Sequence, residues 1–431
     1  MKVLVVSLFH PEIVRGGAQQ IAYELFKALR QQPGIEATLL ASVDETHSAF
    51  YRAGARITGF DGRPGEFLFL SRGYDHTWHR VRDDLLVRAY AEFLQQVRPD
   101  VVHFHHYLTF GVELLTLTRR VLPQARIVFT LHEFVSICAA DGQMLRLTDG
   151  SLCDTASSVR CHQCLPSLPP EHFFLRKVWI QRHLEVVDLF TVPSRFMIAR
   201  YVDWGLPEGR IVYVSNGQPH YGSVLPPPLP GQPRNRFGYF GQIVDNKGVW
   251  LLLEAVTLLR SEGFIDFQVE INGANLNFAS AARRAEFEAF MAREQAMPPV
   301  ERKVAFNGSY EVGRLRERMS RVDWCVVPSV WWEAFGLVVS EAWMFGRPVI
   351  AADVGGLAER IGHEHDGLLF AVGDVRALAS ALRRAATERQ LWDRLARNVP
   401  QPPSSEMMLT AFLSIYRDGN QTIRLSSSIP F

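Results

Sequence analysis

The chain has 431 residues, 47% of them hydrophobic and 21% charged, and a formal net charge of +1 at pH 7. This length exceeds that of a usual single core and predicts two or three domains. The composition excludes a disordered chain, a collagen-like fibre and a small disulfide scaffold. The balanced charge argues against nucleic acid as a partner.

The beginning of the chain and its cysteine content bear on its location. The apolar run Val3–Val6 is too short for a signal-peptide core, and it ends at His10-Pro11-Glu12. No stretch approaches the roughly 18 apolar residues that a spanning helix needs. Five cysteines, an odd number, do not fit a secreted disulfide framework. We expect a cytoplasmic protein, at most peripheral at the inner face of a membrane.

The first half of the chain alternates short apolar strands with helical patterns. The strand Lys2–Ser7 is followed by a glycine-containing loop and by a helix with a periodic apolar face. Four more strands are predicted at Asp100–His105, Arg126–Leu131, Leu189–Ser194 and Ile211–Val214. This alternation indicates a parallel sheet covered on both faces.

A composition break separates this half from a second series of the same kind. Pro226–Gly231 cannot form a helix or a central strand, so it is interpreted as part of a linker. The second series of strands is predicted at Phe237–Gly241, Phe267–Gly273, Val304–Phe306, Trp324–Pro328 and Pro348–Ala352. The fold class is therefore α/β, with two Rossmann-like, doubly wound parallel-sheet domains facing across a cleft. Ligands bind at the carboxyl ends of such strands, so the cleft is the expected site.

The predicted domain boundaries follow from these patterns. Residues 1–218 form the first domain, with a cysteine-bearing insertion at about 138–166. Residues 219–234 are the linker, and 235–399 form the second domain. Residues 400–418 are a C-terminal helix, a candidate for crossing back to the first domain, and 419–431 are a polar, disordered tail.

The segment from Glu333 to Glu341 carries the strongest functional signal. Two glutamates flank a turn glycine, and a helix is predicted to begin near Leu337. The amides of Phe335, Gly336 and Leu337 would then lie at a helix N-terminus, which suits a phosphate anion. The alternative is a surface helix with solvated glutamates.

Several motifs in this order resemble one enzyme family. Glu333–Glu341, the following Gly346–Ala351 and Gly355-Gly356 closely resemble retaining glycosyltransferase family 4, which has the GT-B fold. Further matches over nearly the whole chain are Gly16-Gly17, Asn216-Gly217, Phe240-Gly241-Gln242 with Lys247-Gly248, and Asp366-Gly367. The resemblance implies that the first domain lies on the acceptor side and that the second binds a nucleotide sugar.

The resemblance also implies roles for individual residues of the second domain. Glu333 would be catalytic and lie beside the donor sugar, while the amides of Phe335, Gly336 and Leu337 would hold sugar hydroxyls and diphosphate. Glu341 would accept hydrogen bonds from the ribose diol, which suits a carboxylate with two acceptor oxygens.

Lys247, Gln242 and the glycine loop complete the donor side implied by the resemblance. Lys247 would neutralise the leaving diphosphate; its alternative is a solvated turn lysine. Many family members have arginine at the position of Gln242, and glutamine brings no charge and no bidentate fork. Gly16 and Gly17 correspond to the family's N-terminal glycine loop.

Histidines at strand ends are the candidates in the first domain. His132 matches a family histidine that contacts the reacting sugar, although a lone histidine at a strand end is often structural. His105 and His106 are candidates for acceptor contacts. Alternation along the strand sends His103 and His105 to one face and His106 to the other, which argues against a three-histidine metal site.

Two further segments each allow two interpretations. The cysteines that follow His132 are either candidate structural zinc ligands or reduced cysteines of an insertion: Cys138, Cys153, Cys161 and Cys164. Phe173–Trp179 is either an interfacial helix for a lipid-linked acceptor or, favoured by its pattern, a helix packed on the sheet.

We expect a retaining, metal-independent hexosyltransferase that moves a sugar from a nucleotide diphosphate donor to a glycan or lipid-linked acceptor. No cofactor is required in this scheme, and the family resemblance favours bacterial surface or exopolysaccharide synthesis. The alternatives are a GT-B-shaped sugar-nucleotide epimerase and a non-catalytic sugar-nucleotide-binding protein. A nicotinamide oxidoreductase is disfavoured, because the first strand-to-helix turn lacks G-x-G-x-x-G.

Overall fold

The computed structural model describes residues 1–50, 54–219, 221–222, 224–225 and 232–417. The chain divides into two compact units. Of the described residues, the first unit contains Met1–Pro219 and 403–417, and the second contains those between 221 and 402. The linker segment predicted at 226–231 and the tail predicted at 419–431 lie outside the described residues.

The first unit contains an eight-stranded sheet and seven of the helices. Its strands are β1 (Lys2–Ser7), β2 (Glu36–Val43), β3 (Ile57–Gly59), β4 (Glu66–Leu70), β5 (Tyr74–Asp75), β6 (Arg80–Val81), β7 (Val101–Phe104), β8 (Arg126–Thr130), β9 (Leu189–Val192) and β10 (Ile211–Tyr213). Its helices are α1 (Gly17–Arg30), α2 (Asp84–Val97), α3 (Glu113–Val121), α4 (Ser158–Cys164), α5 (Pro170–Leu184), α6 (Phe196–Trp204) and, near the C-terminus, α14 (Ser405–Arg417).

The order of strands in this sheet is β10-β9-β8-β7-β1-β2-β4-β3. All neighbours are parallel except β3, which runs antiparallel to β4, while β5 and β6 form a separate hairpin. The central strand β1 is apolar on both faces, and Val3–Val6 are fully buried. Such a continuous apolar run is what a parallel strand covered by helices requires.

The second unit contains a six-stranded, entirely parallel sheet. Its strands are β11 (Arg236–Gln242), β12 (Gln268–Ala274), β13 (Val304–Gly308), β14 (Trp324–Val327), β15 (Val349–Ala352) and β16 (Gly367–Phe370). Its helices are α7 (Val249–Ser261), α8 (Ala281–Ala296), α9 (Leu315–Ser320), α10 (Leu337–Met344), α11 (Gly355–Arg360), α12 (Val375–Thr387) and α13 (Leu391–Ala396). The order is β13-β12-β11-β14-β15-β16, so the sheet reverses its winding between β11 and β14. Ligands of doubly wound sheets bind outside such a reversal.

The α/β fold class is confirmed, and every predicted strand is present with its ends moved by one or two residues. The region between α1 and β7 is richer than the single αβ step predicted there. It contains β2, β3 and β4 and the β5–β6 hairpin. Several of these strands have only two or three residues, which is too short for a periodic pattern to show.

The helix α14 packs with the first unit, and its entry is fixed by close backbone contacts. The amide of Gln218 donates to the carbonyl of Pro403, and that of Ser405 donates back to the carbonyl of Gln218 (3.1 and 3.2 Å). A Cβ on Gly217 would lie 2.2 Å from the carbonyl oxygen of Ser404, so only glycine fits there. Within the described part of the chain, none of the helices has the length and apolar character needed to cross a membrane.

Candidate active site

Two loops of the second unit meet at the carboxyl ends of β11 and β14. Gly248, at the end of the loop after β11, has φ +73°, and a Cβ there would lie 1.7 Å from the carbonyl oxygen of Pro328. The amide of Val330 donates to the carbonyl of Asn246 at 3.0 Å. Glycine is therefore needed for this approach, which fixes the two loops against each other.

These loops bring Lys247 and Glu333 together. The Nζ of Lys247 lies 2.8 Å from Oε2 and 3.1 Å from Oε1 of Glu333. Oε2 also accepts from the hydroxyl of Ser329 and from the indole N–H of Trp331, each at 3.0 Å. The Trp331 ring lies under the lysine ammonium, 4.8 Å from its centroid. The carboxylate is 8% exposed and so has a counter-ion and two neutral donors in place of water.

The protonation state of Glu333 follows from these contacts. Burial raises the pKa of its carboxyl, but the charge of Lys247 and the hydrogen bonds from Lys247, Trp331 and Ser329 outweigh burial. The pKa is therefore held below its ordinary value. Glu333 is a carboxylate at neutral pH, able to stabilise a positive charge that develops next to it.

The helix α10 begins directly after this cluster. Gly336 is its N-cap with φ +74°, and a Cβ there would meet the side chain of Leu357 at 2.6 Å. The carbonyls of Phe335 and Gly336 both accept from the guanidinium of Arg360 at 3.0 Å. The first amides of a helix have no intrahelical acceptor and therefore suit an anion. Arg360 fixes the turn that carries these amides, because it bonds to two of its carbonyls.

The other donor-side residues have distinct settings. Glu341 lies one turn inside α10. Burial, and then the nearby charge of Glu341, raise the pKa of the Cys325 thiol in β14. Gln242 is the last residue of β11 and is exposed. Gly16 and Gly17 belong to the first unit, as the N-cap and first residue of α1.

Three histidines of the first unit, the buried His103 and His105 and the partly exposed His132, meet at the carboxyl ends of β7 and β8. Nδ1 of His105 lies 2.8 Å from Nε2 of His132, and the two rings stack with centroids 5.1 Å apart. The ring of His103 also packs against His105, with centroids 4.2 Å apart and the planes tilted by 36°. Its ring nitrogens bond to the hydroxyls of Tyr416 and Thr130, each at 2.7 Å. Parallel neighbours end at one edge of a sheet, which is why residues so distant in sequence meet.

These imidazoles are neutral. Burial, followed by neighbouring histidines, lowers the pKa of His132 to about 3. The pKa values of His103 and His105 are lowered well below the ordinary value for the same reason. Nε2 of His106 lies 2.8 Å from the carboxylate of Glu133. His105 and His106 are 1% and 5% exposed, which leaves the acceptor contacts predicted for them little surface.

Comparisons with known sequences identify the family of this chain. Residues 15–219 match the description "Glycosyltransferase Family 4" and residues 234–388 match "Glycosyl transferases group 1". The chain is a family 4-type glycosyltransferase. Glycogen synthase of Mycobacterium tuberculosis is 24% identical over 440 residues, 96% of this chain and 94% of that protein. D-inositol 3-phosphate glycosyltransferase of Jonesia denitrificans is 32% identical over 187 residues, 41% of this chain and 42% of that one.

Solved structures of glycosyltransferases with the GT-B fold have the same architecture. Sucrose-phosphate synthase from Thermosynechococcus elongatus matches with a TM-score of 0.69 and 20% identity, over 97% of this chain and 98% of its own. Anabaena HepE, solved in complex with UDP-glucose, matches with a TM-score of 0.65 and 17% identity, over 96% and 99%. At these identities the likeness establishes the GT-B fold.

The four cysteines of the glycosyltransferase's insertion line one small cavity of about 20 Å³. None of the four forms a disulfide within the described residues, and burial raises the pKa of Cys138, Cys153 and Cys161, the last to about 11. Among the described residues no group of three or more His, Cys, Asp or Glu side chains could hold a metal ion. The zinc interpretation is therefore not supported, and the alternative of reduced cysteines agrees with the structure.

The segment Phe173–Trp179 lies in α5 and has both an inner and an outer apolar side. Phe173 and Arg176 are buried, and the Arg176 guanidinium donates to the carbonyls of Val135 and Ser136. Phe174, Leu175 and Val178 are instead 59%, 52% and 46% exposed. The helix packs on its unit, as favoured by its pattern, while three apolar side chains face solvent.

Sequence reasoning missed three residues that contact Glu333 or the turn at the start of α10. Ser329 and Trp331 contact Glu333 directly, and Arg360 bonds to the turn that begins α10. Ser329 and Trp331 lie between a predicted strand and the glutamate motif, where polar side chains at strand ends are the available signal. Arg360 gives no such signal, because only the packing of α11 brings it to the turn.

Proposed function

We propose that this glycosyltransferase is retaining and metal-independent, and transfers a hexose from a nucleotide diphosphate donor to a glycan or lipid-linked acceptor. The buried pair of Glu333 and Lys247 at the start of α10 carries the proposal. A carboxylate kept ionised in a buried site suits a cationic transition state, and an adjacent ammonium with helix amides suits a departing diphosphate.

The proposed step uses no protein base. The bond between the anomeric carbon and the diphosphate oxygen breaks, and the acceptor oxygen bonds to the same face of that carbon. The acceptor's hydroxyl proton passes to the leaving phosphate oxygen. Glu333 stabilises the oxocarbenium-like state, and Lys247 has a third N–H for the diphosphate besides the two directed at Glu333. His132 contacts the reacting sugar.

The remaining donor contacts belong to the same proposal. The amides of Phe335, Gly336 and Leu337 bind the diphosphate and sugar, and Glu341 binds the ribose hydroxyls. Gly16, Gly17 and Gln242 complete the donor contacts. A nucleotide diphosphate sugar as donor is supported by Anabaena HepE, whose structures contain UDP, UDP and glucose, or UDP-glucose.

The acceptor is proposed to be a glycan or a lipid-linked sugar of bacterial surface or exopolysaccharide synthesis. The exposed apolar side chains of α5, Phe174, Leu175 and Val178, support a peripheral contact of a cytoplasmic enzyme with the inner face of a membrane. Co-sedimentation with anionic vesicles should be lost in a Phe174→Ser, Leu175→Ser double variant. Equal sedimentation of both proteins would remove the membrane from the proposal.

One experiment tests the activity itself. Wild type and Glu333→Gln are incubated with a panel of nucleotide sugars, with and without lipid-linked and oligosaccharide acceptors, in EDTA and in magnesium. We expect nucleotide release that depends on the acceptor, survives EDTA and gives a product with the donor's anomeric configuration. Release without acceptor indicates an epimerase, and binding without release a non-catalytic protein. An inverted product contradicts the retaining mechanism.

A further inference from the structure

The histidine pair of the first unit leaves one nitrogen without a partner. His105 is 1% exposed, and its Nδ1 faces Nε2 of His132 at 2.8 Å. Its other nitrogen, Nε2, is buried and has no hydrogen-bond partner among the described residues. His105 therefore makes one ring hydrogen bond, and that bond is to the histidine assigned to the reacting sugar.

A neutral pair of imidazoles shares one proton across this contact. Either His105 carries a proton on Nδ1 and donates it, or His132 carries a proton on Nε2 and donates in the other direction. Burial keeps both pKa values low, with that of His132 at about 3, so a doubly protonated ring is absent at neutral pH. The tautomer of His105 therefore sets the tautomer of His132.

The unpartnered nitrogen of His105 decides between the two arrangements. If His132 donates, the neutral His105 ring must carry its proton on Nε2, which leaves a buried N–H without an acceptor. If His105 donates from Nδ1, its Nε2 is a bare acceptor. Buried N–H groups without partners are rarer in proteins than under-satisfied acceptors, so the second arrangement is favoured.

We propose that His105 is a positioning residue that donates its Nδ1–H to Nε2 of His132, so that His132 presents its own Nδ1–H as a neutral donor. This rests on the proposed function, in which His132 contacts the transferred sugar. No described protein group is recorded as a partner of His132 Nδ1, and the residue is partly exposed. Nδ1–H donates to a sugar oxygen, and a neutral ring adds no positive charge to the cation developing at the anomeric carbon.

The ring of His103 packs against His105 and is itself fixed by Tyr416 and Thr130. The centroid of the tilted His103 ring lies 4.2 Å from that of His105, and both nitrogens of His103 are bonded, to Tyr416 and Thr130. Thr130 bonds in turn to the hydroxyl of Thr191 at 2.6 Å. Because both of its nitrogens are bonded, the His103 ring cannot turn. The adjacent His105 ring therefore packs against a fixed neighbour, which restricts its orientation.

Nitrogen NMR of the histidines tests this tautomer directly. In full-length protein labelled with ¹⁵N-histidine, the His132 signals are assigned from a His132→Gln spectrum. At pH 7.5 we expect the proton of His132 on Nδ1 and none on Nε2, with the proton of His105 also on Nδ1. A His132 ring protonated on Nε2, or on both nitrogens, overturns the proposal.

Kinetics of two variants separate positioning from packing. His105→Leu keeps bulk but removes the donor, and we expect kcat to fall about tenfold while the KM for the nucleotide sugar stays within threefold. His105→Asn returns an N–H near the position of Nδ1, and we expect kcat within threefold of wild type. If asparagine, a polar residue in a buried site, does no better than leucine, His105 only packs.

The outcomes keep this inference apart from the proposed function. If the wild-type protein has the expected tautomer but turns over no donor, the proposed function is contradicted and the positioning by His105 stands. Turnover with the proton on Nε2 contradicts the positioning and leaves the function intact. The wild-type spectrum decides the tautomer even if the His105 variants fail to fold.

Discussion

The two units bring reactive side chains to strand ends by opposite electrostatic means. In the second unit Glu333 is buried and charged, because Lys247, Ser329 and Trp331 replace its hydration. In the first unit the buried His105 and the partly exposed His132 are neutral, because burial lowers both pKa values and, among the described residues, neither is recorded as bonded to a carboxylate. The difference teaches that burial alone does not decide charge, and that the contacts within each cluster do.

The charged cluster gives the largest expected effect. Glu333→Gln keeps the shape and one acceptor oxygen but removes the charge, so stabilisation of the positive anomeric carbon is lost. We expect kcat to fall about a hundredfold, which corresponds to roughly 3 kcal/mol. Steady-state kinetics with melting curves measure this.

Glu341→Gln is the matched control for that experiment. A ribose contact is made equally in the ground state and the transition state, so we expect the nucleotide Kd to rise about tenfold with kcat nearly unchanged. Wild-type kcat in Glu333→Gln would show that the glutamate only holds Lys247 in place.

Removal of the Lys247 cation should also disrupt the charged cluster. Lys247→Ala leaves the 8% exposed Glu333 carboxylate without its counter-ion. Because the Lys247 side chain is 26% exposed and water partly screens the pair, we expect a loss of about 2 kcal/mol in unfolding free energy, below the usual range for buried pairs. The Kd for the nucleotide sugar should also rise by a factor of roughly ten to a hundred.

Guanidinium titration and calorimetry check the two effects separately. In Lys247→Ala combined with Glu333→Gln, most of the lost stability should return, since no uncompensated charge is then buried. Unchanged nucleotide affinity in Lys247→Ala would refute its diphosphate contact whatever the stability shows.

The neutral cluster predicts a pH dependence of stability. The pKa of His132 is about 3 when folded, against an ordinary 6.5, so between these values the unfolded chain binds a proton that the folded chain does not. Unfolding free energy therefore falls as the pH drops from 6.5 towards 3, by at most about 1.4 kcal/mol per pH unit for this residue. The carboxylate of Glu333 has a lowered pKa and contributes only below its ordinary value of 4.5.

Denaturation at pH 7.5 and pH 5.5 isolates the histidine contribution. Wild type should lose about 1 kcal/mol more than His132→Asn over this interval. Equal losses in the two proteins would mean that His132 is protonated in the folded state.

The same contrast explains what sequence could predict. The strands were predictable because parallel strands buried on both faces are continuous apolar runs, such as Val3–Val6. Glu333 and Lys247 could be selected through the family's motifs. Their mutual contact could not, since it depends on the approach of Gly248 to Pro328. The bond between His105 and His132 was equally hidden, because it needs the register of β7 against β8.

The smallest expected effect comes from adding charge where the family usually has it. Gln242 is exposed at the end of β11, the strand that leads into the loop of Lys247. Gln242→Arg should therefore lower the Kd for the nucleotide sugar about two- to fivefold, the range of one partly exposed charge contact. The gain should shrink between 50 and 500 mM salt, because such contacts are screened. Gln242→Lys controls for charge without the bidentate fork and should gain less. An arginine that leaves Kd unchanged at low salt would mean that Lys247 and the α10 amides already satisfy the diphosphate, so that glutamine at this position costs the enzyme nothing.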